Sequence, residues 1–277
     1  MVIKFQRRAV ITVTLVYFLL SDNAFAHDPI FSPGPHVLFK DGVEIHAEFS
    51  KEKKAESRED ERAIAVKYGI TGDWVIGAEL PYQISEEENI TESGVGDVVL
   101  SSKYRFWRED SLGEQSSVAF ITQVKLDSGN ERIGSGTTDT MLGFAYGYES
   151  LKWYRWASMR YRFNQDSSIP SSQFELERGD RWFVDLAGGY RFQVNDYLEA
   201  DTVWLLELNG EFAERSDIGD LTFADSGGSR WFVSPGVMWT LRNFAFKAGV
   251  QIPVRNNLNG DQTATDYRAR IEFEWHL

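Results

Sequence analysis

The last stretch of the sequence, Tyr267 to Leu277, alternates between apolar and charged side chains without a break. Residues two apart lie on the same face of a β-strand, so this stretch predicts a strand with one apolar face and one charged face. A transmembrane barrel strand has this pattern because its outer face meets lipid and its inner face meets a wet lumen. The apolar set is Ala269, Ile271, Phe273, Trp275 and Leu277, and the charged set is Arg268, Arg270, Glu272, Glu274 and His276. We expect this strand to pair with the first strand, because an open sheet edge in lipid would leave backbone groups without hydrogen-bond partners.

The same alternation recurs in about 12 strand-like segments between residues 43 and 277. Short turns alternate with longer charged or Gly-rich loops, which is typical of outer-membrane barrels. The mean hydropathy of -0.36 does not conflict with a membrane protein, because only every second residue of such a strand contacts lipid. The sequence therefore predicts an all-β fold, a closed antiparallel transmembrane β-barrel of about 12 strands with both termini on the periplasmic side. The alternative is a secreted β-sandwich that buries its apolar faces against each other.

Residues 1–26 have the layout of a secretory signal peptide. A basic start with Lys4, Arg7 and Arg8 precedes an uncharged core at Ala9–Leu20, and Ala24–Ala26 forms an A-x-A cleavage site. The core is well short of the roughly 20 residues that a transmembrane helix needs. We expect cleavage after Ala26 and delivery of the mature chain to the bacterial outer membrane.

Residues 27–42 form a Pro- and Gly-rich leader that precludes a regular helix or a central strand. The leader nevertheless carries large apolar residues, and their burial would offset the cost of ordering a short segment. We predict that Val37, Leu38 and Phe39 pack into the periplasmic mouth of the barrel, residues 43–277, and narrow its lumen. A flexible tail that awaits a periplasmic partner is the alternative.

Charged residues on the inward-facing parity are predicted to line the lumen. Basic residues come mainly from the middle strands and acidic residues from the last and first strands, which would create a transverse field able to orient a polar solute. The alternative is that these residues pair across a narrow barrel and fill it. The predicted lining residues are Lys103, Arg105, Lys125, Arg160, Arg162, Asp185, Arg191, Glu199, Asp201, Glu207, Arg268, Arg270, Glu272 and Glu274.

Apolar residues also occur on the inward parity, where they predict either a packed interior or a route for an apolar or aromatic solute. They are Phe183, Val203, Leu205, Phe232 and Met238.

The net charge of -13 argues against nucleic acid as a partner, and the absence of cysteine excludes thiolate metal sites. His27 and His36 are candidate metal ligands, because a mature N-terminal histidine offers both its amine and its imidazole to an ion such as Cu(II). A solvated leader is the alternative. The sequence has no Gly-x-Ser-x-Gly nucleophile motif, and we expect neither an enzyme nor a bound cofactor.

The segment Gly94-Val-Gly-Asp97, followed by the Lys103-Tyr104 pair, resembles a family of outer-membrane barrels named for the meta-pathway of phenol degradation. The loop Gly134–Asp139 is similar to a second feature of that family. The resemblance implies a transporter-type barrel. The expected function is a monomeric outer-membrane channel or transporter for small solutes, with aromatic or otherwise partly apolar solutes as candidates. The alternative is a plugged structural or metal-associated barrel whose loops or leader bind ligands.

Overall fold

The structure, a computed structural model, describes residues 27–87, 90–168, 175–196 and 198–277. The predicted signal peptide, residues 1–26, lies outside the described residues. The strands are β1 (Val43–Lys54), β2 (Ser57–Thr71), β3 (Trp74–Glu87), β4 (Ile90–Val95), β5 (Val99–Ser111), β6 (Glu114–Lys125), β7 (Asp139–Ser150), β8 (Trp153–Phe163), β9 (Ser167–Ser168), β10 (Glu175–Glu177), β11 (Arg181–Arg191), β12 (Asp201–Ala213), β13 (Asp217–Ile218), β14 (Leu221–Thr222), β15 (Gly228–Leu241), β16 (Phe244–Leu258) and β17 (Tyr267–His276). Within these ranges no helix is long and apolar enough to cross a membrane.

A closed antiparallel sheet of 12 long strands forms the wall of the barrel. Strand β17 pairs with β16 on one side and with β1 on the other, and the β1–β17 register runs from Glu44 opposite His276 to Lys53 opposite Tyr267. Strand β2 pairs with β3, and the other long strands follow one another around the ring. Strand β4 extends the barrel wall beside the far end of β3. The predicted closed barrel of about 12 strands is confirmed.

The two ends of the barrel differ in their connections. The start of β1 and the end of β17 lie together at one end, which we call the terminus end. Tight turns between consecutive strands also lie there, at residues 72–73, 112–113, 151–152 and 242–243. The opposite end, the loop end, carries the longer connections and a small sheet of β9, β10, β13 and β14. The assignment of the terminus end to the periplasm stays a prediction.

Several strands continue further than the sequence pattern predicts. The charged segment Lys51–Asp60 was expected to be a loop, but its residues belong to β1 and β2 except for a two-residue turn at Ala55 and Glu56. Apolar and polar residues no longer alternate there, because both faces of a barrel strand contact water where the strand extends beyond the lipid. Backbone pairing continues regardless of side-chain polarity, so the hairpin projects beyond the apolar band.

The barrel exposes apolar side chains on its outer surface and buries polar side chains inside, which is the reverse of a soluble protein. Large apolar residues on the outer face, including Ile64, Leu80 and Trp204, are more than half exposed. Polar residues such as Glu207 and Lys247 are almost fully buried inside the ring. This distribution matches an outer surface that contacts lipid and a polar lumen.

The closing strand allows the assignment of its two faces to be tested. Phe273 and Trp275 are 37% and 49% exposed on the outer face, whereas Glu274 between them is 4% exposed in the lumen. We expect Phe273→Arg to destabilise the folded protein more than Trp275→Arg, because Phe273 lies about 7 Å further from the strand end at ~3.4 Å per residue. An arginine on the lipid face costs about 2–4 kcal/mol at the midplane and about 0–1 kcal/mol near an interface. The measurement is urea-dependent folding into lipid vesicles, and equal losses for the two variants would contradict this depth order.

Candidate functional site in the occupied lumen

The leader lies inside the barrel, against side chains that point inward from several strands. Ile30 is 2% exposed and packs in a cluster with Tyr154, Trp156 and Leu205, among others. Phe31 packs against the same cluster. Because these partners come from strands β8 and β12, the leader crosses the interior rather than lying on the rim.

Glu207 on β12 anchors the middle of the leader through its carboxylate. The backbone N–H groups of Ile30 and Phe31 donate to Glu207 Oε1 at 2.8 and 3.1 Å, and the Ser32 hydroxyl donates to Oε2. Arg270 adds a hydrogen bond from Nη1 to the Ile30 carbonyl at 2.9 Å. An extended segment has no internal partners for its backbone, so these side chains satisfy groups that would otherwise be buried without hydrogen bonds.

Most apolar residues on the inward parity are packed in the interior, whereas Phe183 also lines the loop-end part of the lumen. Val203 and Met238 belong to the cluster around Ile30. Phe183 lies under the guanidinium groups of Arg160 and Arg162, with 5.1 and 5.3 Å between each guanidinium carbon and the ring centroid. The packed interior is therefore the alternative that the structure supports.

The three residues predicted to narrow the mouth differ in their environment. Leu38 is buried, Val37 is partly buried, and Phe39 is half exposed at the terminus end. The backbone beside them is held to β2, since Asp41 N–H donates to the Gly69 carbonyl at 2.8 Å. The deepest apolar contacts of the leader come instead from Ile30, which the sequence reasoning did not single out as a plug residue.

A cluster of buried charges joins the leader to strands β1, β2, β16 and β17. Lys67 lies 2.7 Å from Glu44, and Lys247 lies 3.1 Å from Glu272 and 2.6 Å from Glu274. The sequence reasoning did not include Lys67 or Lys247 among the lining residues. Both lie at strand positions whose side chains point inward, with apolar, outward-facing residues on either side. This alternation could have identified them as lining residues.

Most other predicted lining residues also form ion pairs with near neighbours. Arg160 pairs with Asp185 at 2.7 Å on the adjacent strand, and Lys103 pairs with Asp28 of the leader at 2.5 Å. The remaining pairs are Lys125 with Asp139, Arg191 with Asp201, Arg268 with Glu52 and Glu211, Arg270 with Glu48 and Glu272, and Arg105 with Asp73 of a terminus-end turn. Local pairing thus neutralises much of the charge that the sequence pattern suggested would form two opposed walls.

One predicted lining residue is wrong. Glu199 is exposed in the turn before β12, because that strand begins at Asp201 rather than at Leu198 as the pattern suggested. The parity rule applies only within a strand, so it assigned Glu199 to a face that does not exist at that position.

Some charged side chains have no ion-pair partner among the described residues. The basic ones lie on β8 and β11, and the acidic ones lie on β2 and β3. Arg162 and Arg181 lie directly opposite each other on β8 and β11, and neither forms an ion pair with a described residue. Glu61 on β2 and Glu79 on β3 likewise form no ion pair with a described residue. Strands β2 and β3 lie across the ring from β8 and β11, so these unpaired charges of opposite sign lie on opposite sides of the ring.

The Gly94–Asp97 motif organises a loop at the loop end. Asp97 accepts hydrogen bonds from the N–H groups of Ser128, Gly129 and Ser135 and from the Ser135 hydroxyl. Burial disfavours the charged form, but the bonds from Ser135, Gly129 and Ser128 outweigh it and hold the pKa of the Asp97 carboxyl below its usual value. The two short motifs recognised in the sequence therefore meet in space, because Ser135 belongs to the second.

The two histidines considered as metal ligands have different surroundings. His27 Nδ1 lies 2.7 Å from Glu274 Oε2. His36 lies instead against Glu149 and Trp156. The group of donor atoms that surrounds His27 is completed by residues of the closing strand rather than by His36.

A closed barrel with an apolar, aromatic outer face and a polar lumen defines an outer-membrane β-barrel of the porin-like class. The sequence matches, over residues 26–267, the model of the family described as "Putative MetA-pathway of phenol degradation". The chain belongs to this family, as its motifs predicted. No curated protein matches the sequence.

Solved structures share the architecture at low sequence identity. The COG4313 outer membrane channel from Pseudomonas putida F1 is similar with a TM-score of 0.68 and 13% identity, covering 91% of this chain and 100% of that chain. The NanC porin is similar with a TM-score of 0.52 and 13% identity, covering 84% of this chain and 100% of that chain. At these identities the similarity shows the fold alone.

The role of Glu207 as the anchor of the leader can be tested by substitution. We expect Glu207→Ala to weaken docking of the leader by about 1.5–3 kcal/mol, the range for a hydrogen bond to a charged group, because backbone N–H groups lose their acceptor. Hydrogen exchange measured by mass spectrometry should speed up in the peptide that contains Ile30 and Phe31. Glu199→Ala is the matched control, and we expect it to leave exchange unchanged because Glu199 is exposed. Equal exchange in both variants would contradict the anchor.

Proposed function

We propose that this protein is an outer-membrane channel for small solutes and that its leader, residues 27–42, is the central constriction. The observation that carries the proposal is the position of the leader between two cavities inside one barrel. A cavity of about 490 Å³ at the terminus end is lined by Asp28, Lys103 and Lys67, among others. A second cavity of about 500 Å³ at the loop end is lined by Phe31, Arg162 and others.

The arrangement of the loop-end cavity favours one class of solute. Arg160 and Arg162 stack on Phe183, so a cationic surface lies beside an aromatic ring. Glu61 contributes negative charge to the same cavity from the other side of the ring. We propose a small solute that carries a negatively charged group together with an aromatic or other apolar part, because both parts would find complementary groups there. The apolar cluster around Ile30 offers a further surface for such a solute when the leader moves away.

The second candidate is a plugged barrel whose leader or loops bind ligands without transport. The extent of leader burial supports it, since Ile30 and Leu38 are both buried. The two candidates differ in whether the leader leaves the lumen, which electrical measurements can detect.

Deletion of the leader is the direct test of the channel. Two variants, lacking residues 27–35 or 27–40 but retaining 1–26 for export, should conduct ions across planar lipid bilayers more strongly than the full chain. The physical reason is that removing the segment joins the two cavities into one polar passage. Equal conductance in the full chain and both deletions would show that the leader does not constrict the lumen. Conductance in both deletions but none in the folded full chain would favour the plugged barrel.

A reversible disulfide between the leader and β7 tests whether the leader must move, without deleting any residue. The chain has no cysteine, and a β-carbon built at Gly147 would lie 2.7 Å from Pro35 Cγ, so the leader and β7 are in contact there. We expect Pro35→Cys with Gly147→Cys to form a disulfide that abolishes channel openings when oxidised and restores them when reduced. Each single variant is the control for the substitutions themselves. Openings that persist in the oxidised protein would mean that the leader need not move.

The transverse charge makes a separate prediction about selectivity. In the variant that lacks residues 27–35, Arg162→Glu should shift the reversal potential in a KCl gradient toward cations, because an unpaired positive charge in the passage becomes negative. Arg242→Glu, the same charge change in an exposed turn, is the matched control. If the two variants shift the potential equally, the lumen charge does not determine selectivity.

A further inference from the structure

A compact group of side chains joins the first described residue of the leader to the closing strand. His27 Nδ1 lies 2.7 Å from Glu274 Oε2, and the rings of His27 and His276 meet edge to face with 5.1 Å between centroids. One donor atom from each of His27, Glu274 and His276 lies within 4.8 Å of the other two. These residues are 6%, 4% and 5% exposed.

We propose that His27, Glu274 and His276 form a binding site for a divalent transition-metal ion of the Zn²⁺ or Cu²⁺ class. Two imidazole nitrogens and one carboxylate oxygen are a donor set that suits these ions better than Mg²⁺ or Ca²⁺, which prefer oxygen ligands. The bound ion would tie the start of the leader to β17. The proposal concerns binding and stability, and it stands whether or not the barrel conducts.

The spacing of the three donors is close to that of a metal centre. Tetrahedral zinc with bonds of about 2.0–2.1 Å places its ligand atoms about 3.3 Å apart. The present donors are at most 4.8 Å apart, which is within about 1.5 Å of that spacing.

One residue of this group also carries an unsatisfied atom. His27 Nε2 is buried and has no hydrogen-bond partner among the described residues, although the other ring nitrogen binds Glu274. A buried polar atom without a hydrogen-bond partner costs free energy, and a bound ion or water molecule would relieve that cost. Cleavage after Ala26, as the sequence predicts, would add the α-amine of His27 as a further nitrogen donor.

The local charge balance also accommodates a cation. Glu44, Glu272 and Glu274 contribute three carboxylates, whereas Lys67 and Lys247 contribute two ammonium groups. The nearby pair of Arg270 and Glu48 adds no net charge. With neutral imidazoles the cluster therefore has one negative charge in excess, and protonation of one histidine is the competing way to balance it.

A neighbouring group of donors is less suitable. His46, Glu272 and Glu274 also lie within 4.8 Å of one another. Lys247 Nζ, however, lies 3.1 Å from Glu272 and 2.6 Å from Glu274 and already supplies positive charge between these carboxylates. Both carboxylates of that group are bound by Lys247, whereas the proposed site takes only Glu274, whose Oε2 faces His27 while Lys247 binds its Oε1. We therefore assign the site to His27 and His276 rather than to His46.

The test is calorimetric titration of Zn²⁺ into the full, folded chain, purified in detergent without a histidine tag and stripped with EDTA. We expect one saturable site near neutral pH whose affinity falls about 10-fold or more in His27→Ala and in His276→Ala, since even outer-shell changes cost 10–100-fold. His36→Ala and His46→Ala are matched controls that should keep the affinity. Binding should also weaken at pH 5, because protonated imidazole cannot ligate a metal.

A second measurement needs no variant and guards against a failure to fold. In the unmodified protein, Zn²⁺ should raise the thermal unfolding midpoint progressively with its concentration, because a ligand that binds only the folded state stabilises it. The absence of saturable binding or of any rise in the midpoint would overturn the proposal. Affinity that is retained in folded His27→Ala and His276→Ala, or lost in His46→Ala, would overturn the assignment of the site.

Discussion

Closure of the sheet between β1 and β17 is the constraint on which the rest of this structure depends. A strand edge in lipid has no water to satisfy its N–H and C=O groups, so only a closed ring of strands is stable there. The ten paired positions from Glu44–His276 to Lys53–Tyr267 complete this ring. Once the ring is closed, each strand must direct alternate residues outward to lipid and inward to a lumen. The outer aromatic rows and the buried inner charges are both consequences of this geometry.

The inner charges create the second constraint, because a buried ion without a partner is strongly destabilising. Strands β1, β2, β16 and β17 meet this requirement together, with Lys67 and Lys247 distributed among Glu44, Glu272 and Glu274. The leader takes part in the same network, since Asp28 pairs with Lys103 and His27 contacts Glu274. The position of the leader is thus determined by charge as well as by the apolar cluster around Ile30. A channel in which this segment must move would have to exchange several buried interactions for water at once.

The loop end has a different organisation. There, Arg162 and Arg181 form no ion pair with a described residue, and neither does Glu61 of β2. These side chains are exposed or only partly buried, so unpaired charges cost less there than among the buried charges beside the leader. The lumen therefore combines a paired, tightly packed centre with a cavity at the loop end in which the charges are incompletely paired.

The sequence by itself determined the class of fold, the number of long strands and the face on which most side chains lie. Phe273 and Trp275 were assigned to lipid, and Glu272 and Glu274 to the lumen, from period-two alternation alone. Alternation is a local property that depends only on the geometry of an extended chain, so it can be read without knowing any partner. Only the tertiary structure decided where strands end and which residues meet. The hairpin at Lys51–Asp60, the exposed turn at Glu199, and the burial of Ile30 against Glu207 all follow from contacts between distant segments. His27 and Glu274 are separated by 247 positions and meet only because the ring closes and the leader turns back into it. Periodicity along a chain contains no information about such pairs, because they are selected by register, charge neutralisation and packing inside the closed barrel.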